Sequence, residues 1–427
     1  MDKLVQAFGF ISPSTTGACS KNDEIRSKDE ALYRRKKTIG STCQIFYEKD
    51  PFMVSQASMQ YLYDENGTKY LDCISNVQHV GHCHPKVVAA ISKQLATSTC
   101  NVRFVSHKLT DCAEEILKTL PGLDTVLFCN SGSEANDLAL RLARDYTQHK
   151  DAIVVDQYAF QVLNLNNPEK LEKAGQVYAD MVKDVIEKAE QNGRKIAAFF
   201  TEALQSCGGQ VLPPPGYLKL VAEYVRSHGG LMVIDEVQTG FGRVGSKYWA
   251  HQLSEDDFIP DIVTMGKPMG NGFPVSAVVT TKKIADKLGG SVGYFNTYGG
   301  NPVACSAALS VMNVIKEENL LDHSQKMGEL FHEQLNELKK NHDCIGDIRG
   351  VGLFWGIDLV KDRETREPDQ ELALQLILKL RKERSILLNA DGPYTNILKI
   401  KPPLCFNADD VKNTVTALDE TLKEMNK

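Results

Sequence analysis

The stretch LMVIDEVQTGFGR, residues 231–243, joins an uninterrupted apolar run to an acid and a glycine-containing loop. Four consecutive apolar residues between Gly230 and Asp235 predict a strand that is buried on both of its faces. Such strands occur mainly in parallel sheets that helices cover on both sides. An acid directly after such a strand either caps the next turn or lies in a ligand site at the strand end.

Similar apolar runs lie on both sides of this stretch and alternate with helical patterns. They are TVLFC (125–129), AIVV (152–155), IAAFF (196–200), DIVTM (261–265) and SAVVTT (276–281). In one intervening helix a single face collects Leu171, Ala174, Tyr178, Met181, Val185 and Ala189. The alternation predicts an α/β fold whose large domain contains a mostly parallel sheet.

The flanking regions have a different pattern. Residues 1–75 contain a strand, a turn at Asn66-Gly67 and a second strand, while a long helical pattern after residue 320 precedes mixed strands and helices. We therefore predict three parts. Residues 1–75 form an N-terminal segment that joins the small domain, residues 76–320 form the large domain, and residues 321–427 form a smaller C-terminal α+β domain.

The composition excludes several classes of partner. Hydrophobic residues make up 42% of the 427 residues, charged residues 24%, and the formal net charge is −6. This balance is ordinary for a soluble enzyme and lacks the basic footprint of a nucleic-acid-binding protein. No apolar run approaches the roughly 18 residues of a membrane span. We expect a small-molecule substrate, with neither nucleic acid nor membrane as a partner.

The cysteines and histidines carry little further information. The 11 cysteines have no framework spacing, which predicts free thiols in a reducing compartment. The stretch HVGHCHP (79–85) has metal-ligand residue types, but no second cluster follows at zinc spacing, so we predict a polar turn and no metal. The first 20 residues include Asp2 and no arginine, which is a weak match to a signal or transit peptide.

Polar residues follow three of the predicted strands. Gly132 and Ser133 follow the first and open a helix. Ser131 and Glu134 fit a capping box there, and the alternative is that the glycine and serines bind a phosphate at the helix N-terminus. Asp235, with Gln238 three residues later, follows the second strand. Lys267 follows the third, in the loop TMGKPMGNG. It is either a surface lysine or, as the flanking strand and glycines favour, part of a tight, inward loop.

A phosphate cradle, a carboxylate and a lysine at one sheet edge fit a single cofactor. Pyridoxal 5′-phosphate needs a lysine to bind it covalently, an acid at its ring nitrogen and a phosphate site. Burial next to a cationic ring would lower the pKa of the lysine, so that its neutral amine could attack.

Four motifs, in this order, resemble the class III (ω-amino) aminotransferase family of pyridoxal-phosphate fold type I. They are NSGSEAND (130–137), DEVQTGFGR (235–243), TMGKPMGNG (264–272) and FNTYGGNP (295–302). The resemblance implies that Lys267 binds the cofactor covalently, that Asp235 pairs with the ring nitrogen and that Gln238 lies near the ring hydroxyl. It further implies that Gly132 and Ser133 hold the phosphate.

The same resemblance gives an expectation for the assembly. Thr297, in the last of these motifs, would reach the phosphate of the cofactor in a neighbouring subunit. The enzyme is therefore expected to be a homodimer or a dimer of dimers.

A second set of motifs resembles the branch of this family that contains the phospho-lyases of phosphoethanolamine and 5-phosphohydroxylysine. These motifs are NVQHVGHCHP (76–85), GNGFPV (270–275), IRGVGLFWGIDLVKD (348–362) and NILKIKPPLCF (396–406). Lys399 stands where many class III aminotransferases have a carboxylate-binding arginine. Lysine is a point charge that suits a phosphate. Alternatively, Lys399 and Lys401 are only exposed residues that alternate along a strand.

The resemblance implies a lyase that releases phosphate and ammonia from a phosphorylated amine, with an ω-aminotransferase of the alanine–glyoxylate type as the alternative. A second alternative is a non-catalytic variant, because a segment after Val155 is absent. Family members carry there a Tyr-His-Gly element that stacks on the cofactor, and Tyr158 or Phe160 would have to replace it. The resemblance also implies a mitochondrial location, with the cytosol as the alternative.

Overall fold

The computed structural model describes residues 27–155, 168–254, 257–289 and 293–425, and only the backbone of 168–172. These residues fall into two compact units, one ending at Met53 and the other beginning at Val54. The first unit contains helix α1 (Lys28–Thr38). Ser27 caps this helix by accepting a hydrogen bond from the Glu30 N–H, and its acidic first turn and basic last turn match the helix dipole.

The second unit begins with a short antiparallel meander. Its strands are β1 (Gln56–Ser58), β2 (Tyr61–Tyr63) and β3 (Lys69–Asp72). The predicted Asn66-Gly67 turn connects β2 to β3, and the Asp64 carboxylate accepts hydrogen bonds from the Asn66 and Thr68 N–H groups. Gly67 has a φ of 80°, which explains why glycine suits this turn.

The six predicted apolar runs form one six-stranded sheet. Its strands are β4 (Thr125–Cys129), β5 (Asp151–Val154), β6 (Ile196–Glu202), β7 (Leu231–Asp235), β8 (Ile262–Met265) and β9 (Ser276–Thr280). The order across the sheet is β4-β9-β8-β7-β6-β5. Strands β5 to β8 are parallel, and β9 runs antiparallel to both of its neighbours. The prediction of a mostly parallel sheet is confirmed.

Helices cover both faces of this sheet. The helices of this region are α2 (Pro85–Leu95), α3 (His107–Leu117), α4 (Gly132–Thr147), α5 (Pro168–Gln191), α6 (Tyr217–Ser227), α7 (Lys282–Ala285) and α8 (Pro302–Glu317), and the clusters that pack on the sheet include α4, α5 and α6. Phe199, Met232 and Ile234 pack in the cluster that contains α5 and α6 residues. Ala198 and Val233, which alternate with them, pack in the cluster of α4. Burial on both faces accounts for the uninterrupted apolar runs.

Helix α5 buries only part of the predicted face. Ala174, Tyr178 and Ala189 lie on the packed side, but Met181 and Val185 are 56% and 51% exposed. Ala179 and Ile186 are buried in their place. The prediction was wrong at these two positions. A period of 3.6 residues fits more than one stripe of this helix, and packing against α6 selects the stripe that contains Ala179 and Ile186.

The C-terminal region is an α+β arrangement. Its elements are α9 (Leu320–Asn341), β10 (Ile345–Val351), β11 (Phe354–Leu359), α10 (Gln370–Arg384), β12 (Ile386–Leu387), β13 (Asn389–Asp391), β14 (Ile397–Ile400) and α11 (Ala408–Met425). Four of the strands form an antiparallel sheet in the order β10-β11-β14-β13. Strand β12 instead pairs in parallel with β3 of the meander. The domain boundaries at 75/76 and 320/321 stay a prediction.

No helix in the described part of the chain has the length and apolar character needed to cross a membrane.

Candidate active site

The carboxyl ends of three parallel strands bring polar residues into register. Glu202 at the end of β6 pairs with Asp235 at the end of β7, and Asp235 pairs with Thr264 of β8. A cavity of about 620 Å³ opens above this edge. Its lining includes Gly132, Ser133, Asp235, Gln238 and Lys267, all predicted from the sequence, together with Glu202, Asn136, Val237 and Phe273.

The N-terminus of α4 forms one wall of the cavity. The Ser131 hydroxyl accepts a hydrogen bond from the Glu134 N–H, as the capping-box reading predicts. The Glu134 carboxylate, however, accepts from the Asn130 N–H, one residue before the cap. A Cβ on Gly132 would lie 2.6 Å from Val237 Cγ1, so only glycine fits here and the backbone amides stay open to the cavity. The cap therefore leaves Gly132 and Ser133 in the cavity lining, at a helix N-terminus of the kind that attracts anions.

Asp235 is held by two donors. Its Oδ2 accepts a hydrogen bond of 2.8 Å from Asn136 Nδ2, and its Oδ1 accepts one of 2.8 Å from the Val237 N–H. Burial raises the pKa of Asp235, and these two hydrogen bonds and the charge of Lys267 act against that rise. A partly buried carboxylate with two fixed donors can accept one more proton-bearing group from the cavity.

Asn136 was not predicted as a site residue. The Thr264 hydroxyl donates to Asn136 Oδ1 at 2.8 Å, which leaves the Asn136 amide nitrogen to face Asp235. The sequence signal was its position one helical turn after Gly132, on the face of α4 next to the sheet.

Lys267 lines the cavity beyond β8, where the sequence placed it, but its side chain is exposed. The residue is open to solvent in the single chain, and its burial beside a cofactor ring stays a prediction. The glycine-rich loop is tight, as predicted: a Cβ on Gly270 would lie 2.0 Å from the Phe273 carbonyl oxygen.

Glu202 is a second carboxylate that the sequence analysis missed. Its Oε2 accepts a hydrogen bond of 2.6 Å from the Ser206 N–H. Burial raises its pKa, and the nearby charge of Asp235 adds to that effect. The rule that located Asp235, a polar residue at the end of an apolar strand, applies equally to Glu202 after IAAFF.

Gln238 lies between the cavity and two buried groups. Its Oε1 accepts hydrogen bonds from Lys401 Nζ at 2.8 Å and from Asn76 Nδ2 at 3.1 Å. Lys401 Nζ also lies 3.3 Å from the Ser206 hydroxyl. Lys399, two residues earlier on β14, forms an ion pair with Asp391 and is not part of the cavity lining. Both lysines are only 4% exposed, so the alternative that they are exposed strand residues is wrong.

Thr297 lies apart from these residues in the single chain. It lines a second cavity of about 470 Å³, and Phe273 contributes to the lining of both cavities. Tyr158 and Phe160, the predicted substitutes for the stacking ring, lie outside the described residues.

The three histidines of the stretch HVGHCHP have separate partners. His79 Nε2 bonds to the Phe241 carbonyl at 2.7 Å, and His82 Nε2 bonds to Asp72 at 2.7 Å. His84 Nε2 lies 3.4 Å from Glu318. Across the described residues, no group of three or more histidine, cysteine or acidic side chains is placed to hold a metal ion.

Comparison with known sequences assigns the family. The profile of the class-III aminotransferases matches residues 46–160 and 147–422, which is most of the chain. The chain belongs to the class-III aminotransferase family. Among class-III relatives, ethanolamine-phosphate phospho-lyase homolog 1 of Caenorhabditis elegans is 65% identical, with all of both chains covered.

Two further relatives differ in what their names describe. Alanine–glyoxylate aminotransferase 2 homolog 2, mitochondrial, of Arabidopsis thaliana is 36% identical over 98% of this chain and 91% of its own. A phospholyase from Arthrobacter, solved in complex with phosphoethanolamine, superposes with a TM-score of 0.86 at 34% identity. That match covers 92% of this chain and 99% of the other.

The comparisons also bear on chain length. The alignment with the Caenorhabditis elegans relative spans 468 positions, although this chain has 427 residues. The two matched parts of the class-III profile overlap at residues 147–160, so the match is interrupted next to Val155.

Proposed function

We propose that this protein is a pyridoxal-phosphate-dependent phospho-lyase that releases phosphate and ammonia from a phosphorylated amine. The observation that carries this proposal is the 65% identity, over the whole chain, to a relative named as an ethanolamine-phosphate phospho-lyase homolog. Phosphoethanolamine is therefore the first substrate to test, and 5-phosphohydroxylysine is the second.

The cavity fits pyridoxal 5′-phosphate in the chemistry of its donors. The open backbone of Gly132 and the hydroxyl of Ser133 would hold the phosphate, because a helix N-terminus attracts an anion. The Asp235 carboxylate would pair with the ring nitrogen, and the Lys267 amine would bind the cofactor covalently. Gln238 would lie at the ring hydroxyl. When bound, the cofactor takes up the electron pair released when a C–H bond beside the substrate nitrogen breaks.

The side chains of this site would then divide the remaining work. Lys267, freed once the substrate amine takes its place, would remove the proton from the carbon beside the substrate nitrogen. The Asp235 carboxylate, which accepts hydrogen bonds from Asn136 and the Val237 N–H, would stay ionised and face the cavity. The phosphate on the adjacent carbon leaves, and water completes the reaction. Phosphoethanolamine and water give acetaldehyde, phosphate and ammonia.

Lys399 is the proposed contact for the substrate phosphate. Its ammonium pairs with Asp391 in this structure, so the phosphate would have to take the place of that carboxylate. A dianion can do so because lysine binds anions as a point charge, without the fixed geometry of an arginine fork.

We further propose that the active enzyme is a homodimer or a dimer of dimers. Supporting this, large apolar side chains are exposed around the second cavity, including Phe104 at 64% and Tyr298 at 71%. Thr297 lines the same cavity and would reach the cofactor phosphate of the other subunit. Sedimentation analysis of the wild-type protein and of Phe104→Asp tests this assembly, and a monomeric wild-type enzyme with full activity would contradict it.

The mitochondrion is the proposed compartment, with the cytosol as the alternative. In support, the Arabidopsis thaliana relative carries a mitochondrial designation in its name. The ten cysteines in the described residues are all free, as expected in a reducing compartment. Fractionation of cells that express the tagged full chain tests this proposal.

The deciding experiment measures phosphate and ammonia released by the purified chain loaded with pyridoxal 5′-phosphate. We expect equal amounts of both from phosphoethanolamine or 5-phosphohydroxylysine without any keto acid, and none from Lys267→Ala. Consumption of alanine that depends on glyoxylate, without phosphate release, would establish the ω-aminotransferase instead, which the name of the Arabidopsis thaliana relative favours.

The interrupted match beside Val155 favours the other candidate, a non-catalytic variant. Insertion of the corresponding residues of the Caenorhabditis elegans relative after Val155 separates the two cases. If a cofactor-stacking segment is missing, insertion should strengthen cofactor binding by about 5- to 150-fold, because stacking and burial of a ring contribute about 1–3 kcal/mol. Equal affinity and turnover with and without the insertion would show that the chain is complete for catalysis.

A further inference from the structure

We propose that Lys401 is a positioning residue that fixes the side-chain amide of Gln238, so that its Nε2 donates toward an anionic oxygen in the active site. This inference rests on the proposed function, because the oxygen is taken to be the ring oxygen of the cofactor. Lys401 lies outside the cavity lining and acts on the cavity through Gln238.

The contacts of Gln238 allow one orientation of its amide. Lys401 Nζ, at 2.8 Å, and Asn76 Nδ2, at 3.1 Å, both donate to Oε1. In the flipped amide, Nε2 would face the Asn76 amide donor and the Lys401 amine, so both present contacts to Oε1 would be lost. The Nε2 group has a weak acceptor in Cys207 Sγ at 3.7 Å and retains a second N–H for the cavity that Gln238 lines.

Lys401 is a buried amine with neutral hydrogen-bond partners, a site that an anion nearby would stabilise. The side chain is 4% exposed, and its hydrogen-bond partners among the described residues, Gln238 and the Ser206 hydroxyl, are neutral. Among the described residues, no carboxylate oxygen lies within 4 Å of its Nζ. Burial and the charges of Lys399 and Lys267 lower its pKa. A buried amine without a counter-ion destabilises the free protein, and an anionic oxygen beyond Gln238 would relieve that.

The test is a double-mutant cycle on cofactor affinity, measured by spectroscopic titration of the apo-protein with pyridoxal 5′-phosphate. We expect Lys401→Met to weaken binding by about 10- to 100-fold, as for a lost hydrogen bond to a charged group. In a Gln238→Leu background the same change should have less than about a threefold effect, because the residue that Lys401 positions is gone. A full effect of Lys401→Met in that background would overturn the inference.

Two further readouts separate positioning from a structural role. The Tm of apo Lys401→Met should exceed that of the wild type, because an uncompensated buried cation has been replaced by an apolar side chain of similar length. A lower Tm together with additive losses of affinity would assign Lys401 to the fold alone. Lys379→Met is the control, since Lys379 is a partly buried lysine that pairs with Glu424 and has no assigned role in the site. We expect it to leave cofactor affinity within threefold.

The source of the anionic oxygen is settled by a second arm. If Lys401 served the substrate phosphate instead, Lys401→Met would raise the KM for phosphoethanolamine and leave cofactor affinity unchanged, which would overturn the inference. A wild-type chain that shows no saturable cofactor binding would overturn the proposed function. Binding with an additive cycle would overturn only the role of Lys401.

Discussion

Asp235 and Glu202 are neighbouring carboxylates at one sheet edge, and their donors differ. Asp235 accepts hydrogen bonds from Asn136 and Val237, whereas Glu202 accepts one from the Ser206 N–H. Burial raises the pKa of both. Since donors stabilise the ionised form, Asp235 is the better held anion, and its charge in turn favours protonation of Glu202.

The first residue-scale prediction concerns Asp235→Asn. We expect weaker cofactor binding and a fall in kcat of about 100-fold or more, because a neutral amide cannot keep the ring nitrogen protonated. Phosphate release at saturating cofactor measures the rate. Asp286→Asn, at an exposed carboxylate paired with Lys282, is the control and should keep full activity. A kcat for Asp235→Asn within a few-fold of the wild type would argue against this role.

The second concerns Lys267→Ala. No turnover and no covalently attached cofactor are expected, because the other lysine near the cavity, Lys401, is directed at Gln238. Borohydride reduction followed by peptide mass spectrometry locates any covalent cofactor. The exposed Lys287, replaced by alanine, is the matched control. Attachment of the cofactor elsewhere with retained turnover would refute the assignment of Lys267.

At the scale of elements, the site depends on how closely helix α4 approaches the loops after β7 and β8. The first residue of α4, Gly132, packs against Val237. A Cβ on Gly266 would lie only 3.2 Å from the backbone nitrogen of Gly132. Small residues at this junction bring the helix N-terminus within reach of the same cavity as Asp235 and Lys267.

The element-scale prediction is therefore a clash that a second substitution relieves. Gly132→Ala places a methyl group 2.6 Å from Val237 Cγ1, and we expect it to lower the free energy of unfolding by about 1–3 kcal/mol and to weaken cofactor binding. Gly132→Ala combined with Val237→Ala should recover most of both, because the space is restored. Urea unfolding and cofactor titration measure the two effects. No recovery in the double variant would mean that the methyl group acts on the bound phosphate rather than on packing.

At the scale of the whole molecule, a buried polar network joins distant parts of the second compact unit. The Arg243 guanidinium donates to the carbonyls of Leu353 and Pro402 and lies 3.1 Å from His79 Nδ1. His79 Nε2 in turn bonds to the Phe241 carbonyl. The last residue of the motif DEVQTGFGR thus lies outside the cavity and holds together segments that surround it.

This network predicts acid sensitivity. Burial and the charge of Arg243 lower the pKa of His79 well below its usual value. Below about pH 6.5 the unfolded chain gains a proton at this residue that the folded chain does not. Stability should therefore fall with decreasing pH by up to about 1.4 kcal/mol per pH unit from this residue.

The check is urea unfolding of wild type and His79→Gln at a series of pH values from 7.5 to about 5. The difference in stability between the two should shrink as the pH falls, because the variant lacks the titrating group. His107→Gln, at an exposed histidine, should give a curve parallel to that of the wild type. A difference that does not vary with pH would mean that the pKa of His79 is the same in the folded and unfolded states.

Sequence patterns alone were enough to predict the six strands, the mostly parallel sheet and the cavity-lining positions of Asp235, Gln238 and Lys267. These follow from short-range patterns, since apolar runs identify buried strands and the residues after them lie at the ligand-binding edge. The same rule, applied to one more strand, would have found Glu202.

The partners of these side chains, in contrast, could be identified only from the folded chain. Lys399 and Lys401 are two residues apart and equally buried, yet one pairs with Asp391 and the other with Gln238, 163 residues away. The exposure of Lys267 and the buried face of α5 likewise depend on segments distant in the sequence. Local patterns specify the conformation of a segment, whereas the charge environment of a side chain depends on atoms that only folding brings near it.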